Sequence, residues 1–411
     1  MAVKIMMLSQ WFDPEPMFKG VYFAKELIKQ GFDVEVVTGF PNYPGGSLYS
    51  GYKLRLIQRE IIDGVHVTRL PLYPSHNRSV WGRIANYGSF ALSSLIYGLL
   101  IAKRPDVIYA YHPPLTTGMS ALLVRFFRRV PVVYDIQDMW PDSLAATGML
   151  TNKRLLNILG SLCKFIYQRM DRITVLSPGF KQILIERGVP ADKIHIIYNW
   201  CNEHALSSSS HLKKIDEPTQ PVKLRILFAG NIGRAQGLDT VLDAAKKLMA
   251  IGSTAFFELL GSGVDSEKIA SRIREEDIDN VVSLPHVPMN EVGRFLKSAD
   301  ILLVHLKKDP LFSITIPSKT QSYMAAGKPI LMAVPGDAAD LIKMANCGVI
   351  ALSDDVDSIV QAVLKLECMS QFERNAMGER GAAFYFDRLS LKEGVAQFSE
   401  QFHFIINEYN K

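Results

Sequence analysis

Two rhythms alternate along this chain. Short β-branched, apolar runs are each followed by a Gly, Pro or polar loop and then by a stretch with apolar positions every three or four residues. In the first half the runs are VKIMML, DVEVVT, VHVTRL, DVIYAY, PVVYDI, RITVLS and KIHIIY; in the second they are LRILFAG, AFFELLG, NVVSLP, DILLVHL, PILMAV and GVIAL. Strands that alternate with helical periodicity predict βαβ units and parallel sheets. The two series are separated by CNEHALSSSSHLKKIDEPTQPVK, a Ser-rich, Pro-containing polar stretch that reads as a linker. From Asp354 onward only helical periodicity remains. The pattern therefore predicts two doubly wound α/β domains. They cover residues 1–200 and 223–385, with a linker at 201–222 and a C-terminal helix at 386–411. Ligands of such sheets sit at the carboxyl ends of strands where the strand order reverses, so motifs at strand ends carry the most weight.

Composition narrows the class. The chain has 411 residues, 48% hydrophobic and 21% charged, enough for two ordinary domains. Its first residues, MAVKIMMLSQWF, read as a strand rather than a secretory signal. Cys163, Cys201, Cys347 and Cys368 lack metal-ligand spacing, which suits reduced thiols in a cytosol. No metal or other cofactor is expected. The net charge of +5 is uneven: Met1 to Trp200 holds 23 Lys+Arg against 14 Asp+Glu, leaving 23 against 27 for the remainder. A basic half points to a polyanionic partner, and without base-reading motifs an anionic membrane surface is preferred to nucleic acid.

Three strand–loop–helix segments in the second half could take an anion. In SITIPSKTQSYMAAGKPILMAV, Pro317, Ser318, Lys319 and Thr320 open a short helix that Gly327 closes. A helix start suits an anion, and capping explains Ser318 and Gly327 but not a cation set against the dipole. In LFAGNIGRAQGLD, Gly230, Gly233 and Gly237 bracket Asn231, Arg234 and Gln236; a Gly-rich turn with a solvent arginine is the plainer reading. In LLGSGVDSEKI, Gly261 and Gly263 open a helix, a weak signal alone. Together they favour a nucleotide diphosphate.

The stretches QWFDPEP, TGFPNYPGG, LYPSH, YHPPLTTG, DIQDMWPDSLAATGM, GNIGRAQGLD, HLKKDPLFSITIPSKTQ and AAGKPILMAVPGDAADL carry a resemblance over essentially the whole chain. The sequence resembles retaining glycosyltransferases of family 4. It is most similar to a bacterial subgroup of L-fucosamine-type (FucNAc) transferases of O-antigen and capsule assembly. That resemblance implies the GT-B fold: two Rossmann-like, doubly wound parallel-sheet α/β domains facing a cleft, the C-terminal helices crossing back to the first domain. It implies Gly230, Asn231, Arg234, Gln236, Gly261, Gly263, Pro317, Ser318, Lys319 and Thr320 as the donor side, with Lys319 a phosphate ligand. The chain departs from the family where a Glu-x7-Glu pair is usual, because Ile314 and Ser322 stand in register there. Asn231 and Gln236 lie where the family's donor-loop Arg and Lys would fall, and Arg234 is expected to supply that charge.

In the first half, His112 ends IYAYH and matches a family histidine that points at the donor sugar; capping the turn before Pro113 is the alternative. Asp135, Asp138 and Asp142 follow a strand in VVYDIQDMWPDS. Carboxylates at a strand end can orient or deprotonate an acceptor hydroxyl. Asp138 is the preferred catalytic partner of His112, with Asp135 and Trp140 expected beside the acceptor and Asp142 suited to helix capping. QWFDPEPMFKG lacks the family's Gly-Gly pair, so Asp13 and Glu15 are expected to touch the acceptor or close the cleft rather than cradle phosphate. SVWGRIANYGSFALSSLIYGLLIAKR holds an uncharged stretch from Ser89 to Ala102, too short to span and better read as a buried or interfacial helix. LLVRFFRRV places Arg125, Arg128 and Arg129 around Phe126 and Phe127, as on a surface-lying helix; packing on the sheet with a solvated basic edge is the alternative.

The expected protein is thus a cytoplasmic, peripheral inner-membrane enzyme. It would move a sugar, of the N-acetylated amino-sugar class, from a UDP donor to a polyprenyl-diphosphate-linked saccharide, retaining configuration without a metal. A UDP-sugar 2-epimerase and a non-catalytic nucleotide-sugar-binding subunit are the alternatives. The motifs do not name the sugar.

Overall fold

The computed structural model describes residues 2–75, 80–146, 148–207, 224–409 and 411. The chain divides into two compact units, Met1–Ile197 with Val395–Lys411, and Tyr198–Gly394. The chain crosses between them after Ile197 and after Gly394; the expected boundaries were 200, 223 and 386. Within the expected linker, Glu203–Ser207 is helical, and residues 208–222 lie outside the described residues. The start of the linker is anchored: the Cys201 N–H donates to the Tyr385 hydroxyl at 3.1 Å, and that hydroxyl donates to Glu203 at 2.8 Å.

In the first unit eight strands form one sheet: β1 (Lys4–Leu8), β2 (Asp33–Gly39), β3 (Gln58–Ile62), β4 (Val65–Leu70), β5 (Val107–His112), β6 (Val132–Ile136), β7 (Arg172–Val175) and β8 (Ile194–Ile196). Their order is β3-β4-β2-β1-β5-β6-β7-β8. β5 and β6 are buried at every position, as strands covered on both faces must be. β3 is the exception to an otherwise parallel sheet, pairing antiparallel with β4. The turn between them places Asp63 and Gly64 at φ 50° and 85°, the left-handed pair that a tight hairpin needs. The half-polar run QREII gives no strand signal, so this antiparallel edge adds to the expected parallel sheet.

The last helix, Leu391–Tyr409, carries the chain back into the first unit, as the resemblance implied. Phe398 packs edge-on against Phe23 and Tyr109 at 5.2 and 5.6 Å, and Phe402 meets Phe32 at 5.9 Å. Burying such rings contributes a few kcal/mol, so this segment is part of the first unit's core.

In the second unit β9 (Leu224–Ala229), β10 (Ala255–Leu260), β11 (Val281–Leu284), β12 (Ile301–His305), β13 (Ile330–Ala333) and β14 (Gly348–Ile350) are ordered β11-β10-β9-β12-β13-β14, all parallel. Apolar clusters fill both faces. The order reverses between β9 and β12, so the crevice at their carboxyl ends is where a ligand of such a sheet is expected.

Candidate functional site

Lys319 stands at that crevice. Its helix, Lys319–Ala325, begins after Pro317, whose carbonyl accepts from the Thr320 N–H at 2.8 Å. One turn on, the buried Tyr323 hydroxyl accepts from the Ala229 N–H at 2.8 Å and lies 3.2 Å from the Ala229 carbonyl, pinning the helix under the end of β9. Helical side chains lean toward the N-terminus, so Lys319 is laid over that strand end. Its Nζ lies 3.5 Å from the centre of the Phe228 ring. The Lys319 stem reaches the surface, but the ammonium itself is sealed from solvent and has no hydrogen-bond acceptor among the described residues. Burial lowers its pKa to about 7. The ring face offers partial compensation; an unpaired buried cation remains costly until an anion arrives.

The loops around it are built for close approach. Gly230 adopts φ 143°, which a side chain resists, and a Cβ there would sit 3.2 Å from Lys319 Nζ. Gly261 is needed for a different reason than the sequence suggested: a Cβ would lie 1.9 Å from the Gly230 carbonyl oxygen. Gly263 likewise abuts the Ile232 carbonyl, so this second glycine pair packs one loop on another. Gln236 is turned inward, its Oε1 accepting from the Gly233 N–H at 3.1 Å. Asn231, Arg234 and Ser318 are exposed, and Arg234 has no protein acceptor among the described residues. Thr320 is buried with its hydroxyl unpartnered.

His305 ends β12 in the same crevice and was not singled out from the sequence. Its Nδ1 lies 2.6 Å from the Gln236 carbonyl, so that nitrogen carries the proton, and Nε2 is sealed with no partner among the described residues. Burial and the Lys319 charge both hold the ring below its ordinary pKa, burial contributing more. A histidine at the carboxyl end of a switch-point strand was the signal available in DILLVHL.

In the first unit, His112 ends β5, next to the β1/β5 reversal. It is fully buried among Tyr134, Trp140 and Tyr167, whose ring centres lie 5.8, 5.4 and 6.4 Å away. Among the described residues neither ring nitrogen has a partner, and burial drives the pKa to about 3. The imidazole is therefore neutral at physiological pH and can position but not donate as an acid. Asp138 accepts from Trp140 Nε1 at 3.2 Å and burial raises its pKa, the direction useful in a base.

Three carboxylates assigned to an acceptor have other partners. Asp135 accepts from Lys19 Nζ and the Tyr109 hydroxyl at 2.6 Å, the Thr174 hydroxyl at 2.8 Å and Gln137 Nε2 at 2.9 Å. Those bonds occupy its lone pairs in a nearly solvent-free setting. Glu15 accepts from the Asn42 and Tyr43 N–H groups at 2.8 Å and from Phe12 N–H at 3.2 Å, with burial raising its pKa to about 7. Asp13 accepts from Val21 N–H at 2.7 Å, at the start of the Val21–Lys29 helix. The expectation of Asp135 and Glu15 beside the acceptor is thereby corrected: Asp135 joins Lys19 to β5 and β7, and Glu15 ties the loops after β1 and β2. Asp142 is paired with Arg187.

The basic cluster is corrected too. Arg125 makes a forked pair with Asp171 at 2.5 and 2.6 Å, and Arg128 donates to the Gly98 and Ala102 carbonyls at 2.7 Å. Only Arg129, Phe126 and Phe127 of that group face outward. Among the described residues no group of three His, Cys, Asp or Glu side chains is placed to hold a metal ion.

Comparison with known proteins agrees with this architecture. Residues 21–200 match the glycosyl transferase 4-like domain, and residues 212–384 match glycosyl transferases group 1. WcaI of Escherichia coli K12, a glycosyl transferase named for colanic acid biosynthesis, is 25% identical over 337 residues, covering 79% of this chain and 82% of that protein. The glycosyltransferase WbjE of Pseudomonas aeruginosa is 27% identical over 233 residues, 56% and 58% of the two chains. Among solved structures, sucrose-phosphate synthase from Thermosynechococcus elongatus superposes with TM-score 0.71 at 14% identity, covering 99% of this chain and 100% of the other. WaaG, a glycosyltransferase involved in lipopolysaccharide biosynthesis, superposes at 0.63 with 15% identity over 97% and 99%. Two α/β units with these sheet orders, matched in turn by a glycosyl transferase 4-like domain and a glycosyl transferases group 1 domain, make the chain a GT-B-fold glycosyltransferase.

Proposed function

We propose that the chain transfers a sugar from a nucleoside-diphosphate donor to a polyprenyl-diphosphate-linked saccharide, with retention of configuration and without a metal. The observation that carries the donor half is the sealed, unpaired ammonium of Lys319 at the β9/β12 reversal. A diphosphate is the ligand that would compensate it, and charge growing on the departing diphosphate would be stabilised further in that dry setting. Arg234, exposed on the neighbouring turn, adds a second cation. These cations do the work a metal would otherwise do on the phosphates.

UDP is the nucleotide we favour. The Anabaena protein HepE, TM-score 0.64, was solved with UDP-glucose, and the Escherichia coli trehalose-6-phosphate structure, TM-score 0.71, with UDP-2-fluoro glucose. An Arabidopsis starch synthase of TM-score 0.72 was solved with ADP, so ADP-sugars belong in the test panel. An N-acetylated amino sugar such as FucNAc is the transferred group we favour. On the acceptor side, Asp138 with its raised pKa orients the attacking hydroxyl, and the leaving phosphate takes the proton. His112, neutral and caged, holds position near the reacting centre. The lipid-linked acceptor brings the enzyme to the inner face of the cytoplasmic membrane.

The experiment is a panel of UDP- and ADP-sugars incubated with and without a lipid extract containing polyprenyl-diphosphate saccharides. Release of free nucleotide only with lipid supports the proposal. Product formed from a UDP-sugar alone would make the protein an epimerase, and tight binding without turnover a binding subunit.

A further inference from the structure

The helix Val80–Ile96, continued by the π turn Tyr97–Ile101, has its polarity reversed. Its buried side includes polar Asn86 and Ser94 beside Phe90 and Tyr97. Those polar groups are satisfied inside: Asn86 accepts from Gln10 Nε2 at 2.6 Å and donates to the Tyr73 carbonyl at 2.7 Å, while Ser94 and Ser120 hydroxyls meet at 3.1 Å. The outward side carries Trp81, Ile84, Leu92, Ile96 and Leu100, with Trp81 and Leu100 each 79% exposed. A helix facing water shows the opposite arrangement. An 18-residue window within Trp81–Ile101 has a mean hydropathy of 1.4, yet only 28% of that window is buried.

The ridge widens onto the neighbouring helix, Leu115–Arg128, where Phe126 and Phe127 are 71% and 65% exposed. The Arg128 bonds to Gly98 and Ala102 fasten the two helices together. Lys103, Arg104 and Arg129 are exposed at that end. Length alone would let the segment cross a bilayer, but its inner side is committed to the fold, so it can only lie flat.

We propose that this ridge docks the protein on an anionic bilayer, the helix lying in the plane of the head-group boundary. The basic end complements anionic lipid, and Trp81 at the other end suits the interfacial belt. This rests on the reading of a lipid-linked acceptor, but the surface can be tested without any sugar transfer. It also moves the contact from Arg125 and Arg128, which are spent inside the protein, to apolar side chains.

The test compares the parent with Leu92→Ser/Leu100→Ser/Phe126→Ser, three exposed positions, by sedimentation with phosphatidylcholine vesicles with and without phosphatidylglycerol. UDP titration and thermal unfolding are run on both proteins. The parent should sediment with phosphatidylglycerol vesicles and show a blue-shifted Trp81 emission that Trp81→Phe removes. The triple variant should lose about tenfold or more in partitioning, with UDP affinity and melting temperature unchanged. Equal sedimentation of the two proteins overturns the proposal. So does a parent dimer that the variant converts to monomer, which would show a second copy covering the ridge. Vesicle binding by a parent that does not bind UDP would sustain the surface and overturn the donor-site reading instead.

Discussion

Lys319 Nζ lies 3.5 Å over the Phe228 ring and has no acceptor beside it among the described residues. A cation placed this way opposes folding: burial lowers its pKa from 10.5 to about 7. Below pH 7 both folded and unfolded chains carry the proton and the full cost applies. Between pH 7 and 10.5 the unfolded chain binds more protons, so stability rises with pH.

Lys319→Met should therefore stabilise the ligand-free protein by on the order of a few kcal/mol near pH 6. The gain should shrink as the pH is raised through 7 toward 10. Urea unfolding at several pH values measures it. A destabilised Met variant at pH 6 would mean that the ammonium is already compensated within the fold.

The first unit is expected to behave differently. His112→Ala should leave UDP affinity within about twofold and lower turnover by roughly a hundredfold or more. Because its pKa is already near 3, the parent's rate should show no ionisation between pH 5 and 7 that the substitution removes. Parallel titrations and rate profiles decide this. Equal losses in affinity and turnover would place His112 outside the reacting centre.

Much of the fold was readable because strands buried on both faces spell themselves out as apolar runs, as in VVYDI and ILLVH. β3 was not, since QREII is half polar on an edge, although the Asp63–Gly64 pair signalled its hairpin. In the site, Lys319 was legible as a charge out of place. His305 was not, because its importance comes from a neighbour 14 residues on. The Lys19–Asp135 pair spans 116 residues, and the Arg125–Asp171 fork spans 46. Such pairs depend on which strands become neighbours, and a local motif carries no trace of them.

That Lys19–Asp135 pair gives a stability test. Asp135→Asn removes the carboxylate that pairs with the buried Lys19 ammonium and should cost about 3–5 kcal/mol. Lys19→Met/Asp135→Asn should recover part of that loss. Denaturant unfolding of the single and double variants measures the coupling. If Asp135→Asn folds as well as the parent and instead raises the acceptor KM, the carboxylate belongs to the acceptor after all.

Metal independence is tested by activity after exhaustive EDTA treatment. We expect the rate to be unchanged if Lys319 and Arg234 meet the diphosphate charge as proposed. Loss of activity restored by Mg²⁺ or Mn²⁺ would contradict that assignment.

Isothermal titration of UDP and of uridine into the parent and Lys319→Ala decides whether Lys319 receives the nucleotide diphosphate. The parent should prefer UDP over uridine strongly. In the variant, UDP affinity should fall by roughly ten- to a hundredfold, the loss of one charge-assisted contact of about 1.5–3 kcal/mol. Uridine binding should hardly change. Equal UDP affinity in the two proteins would contradict that role for Lys319.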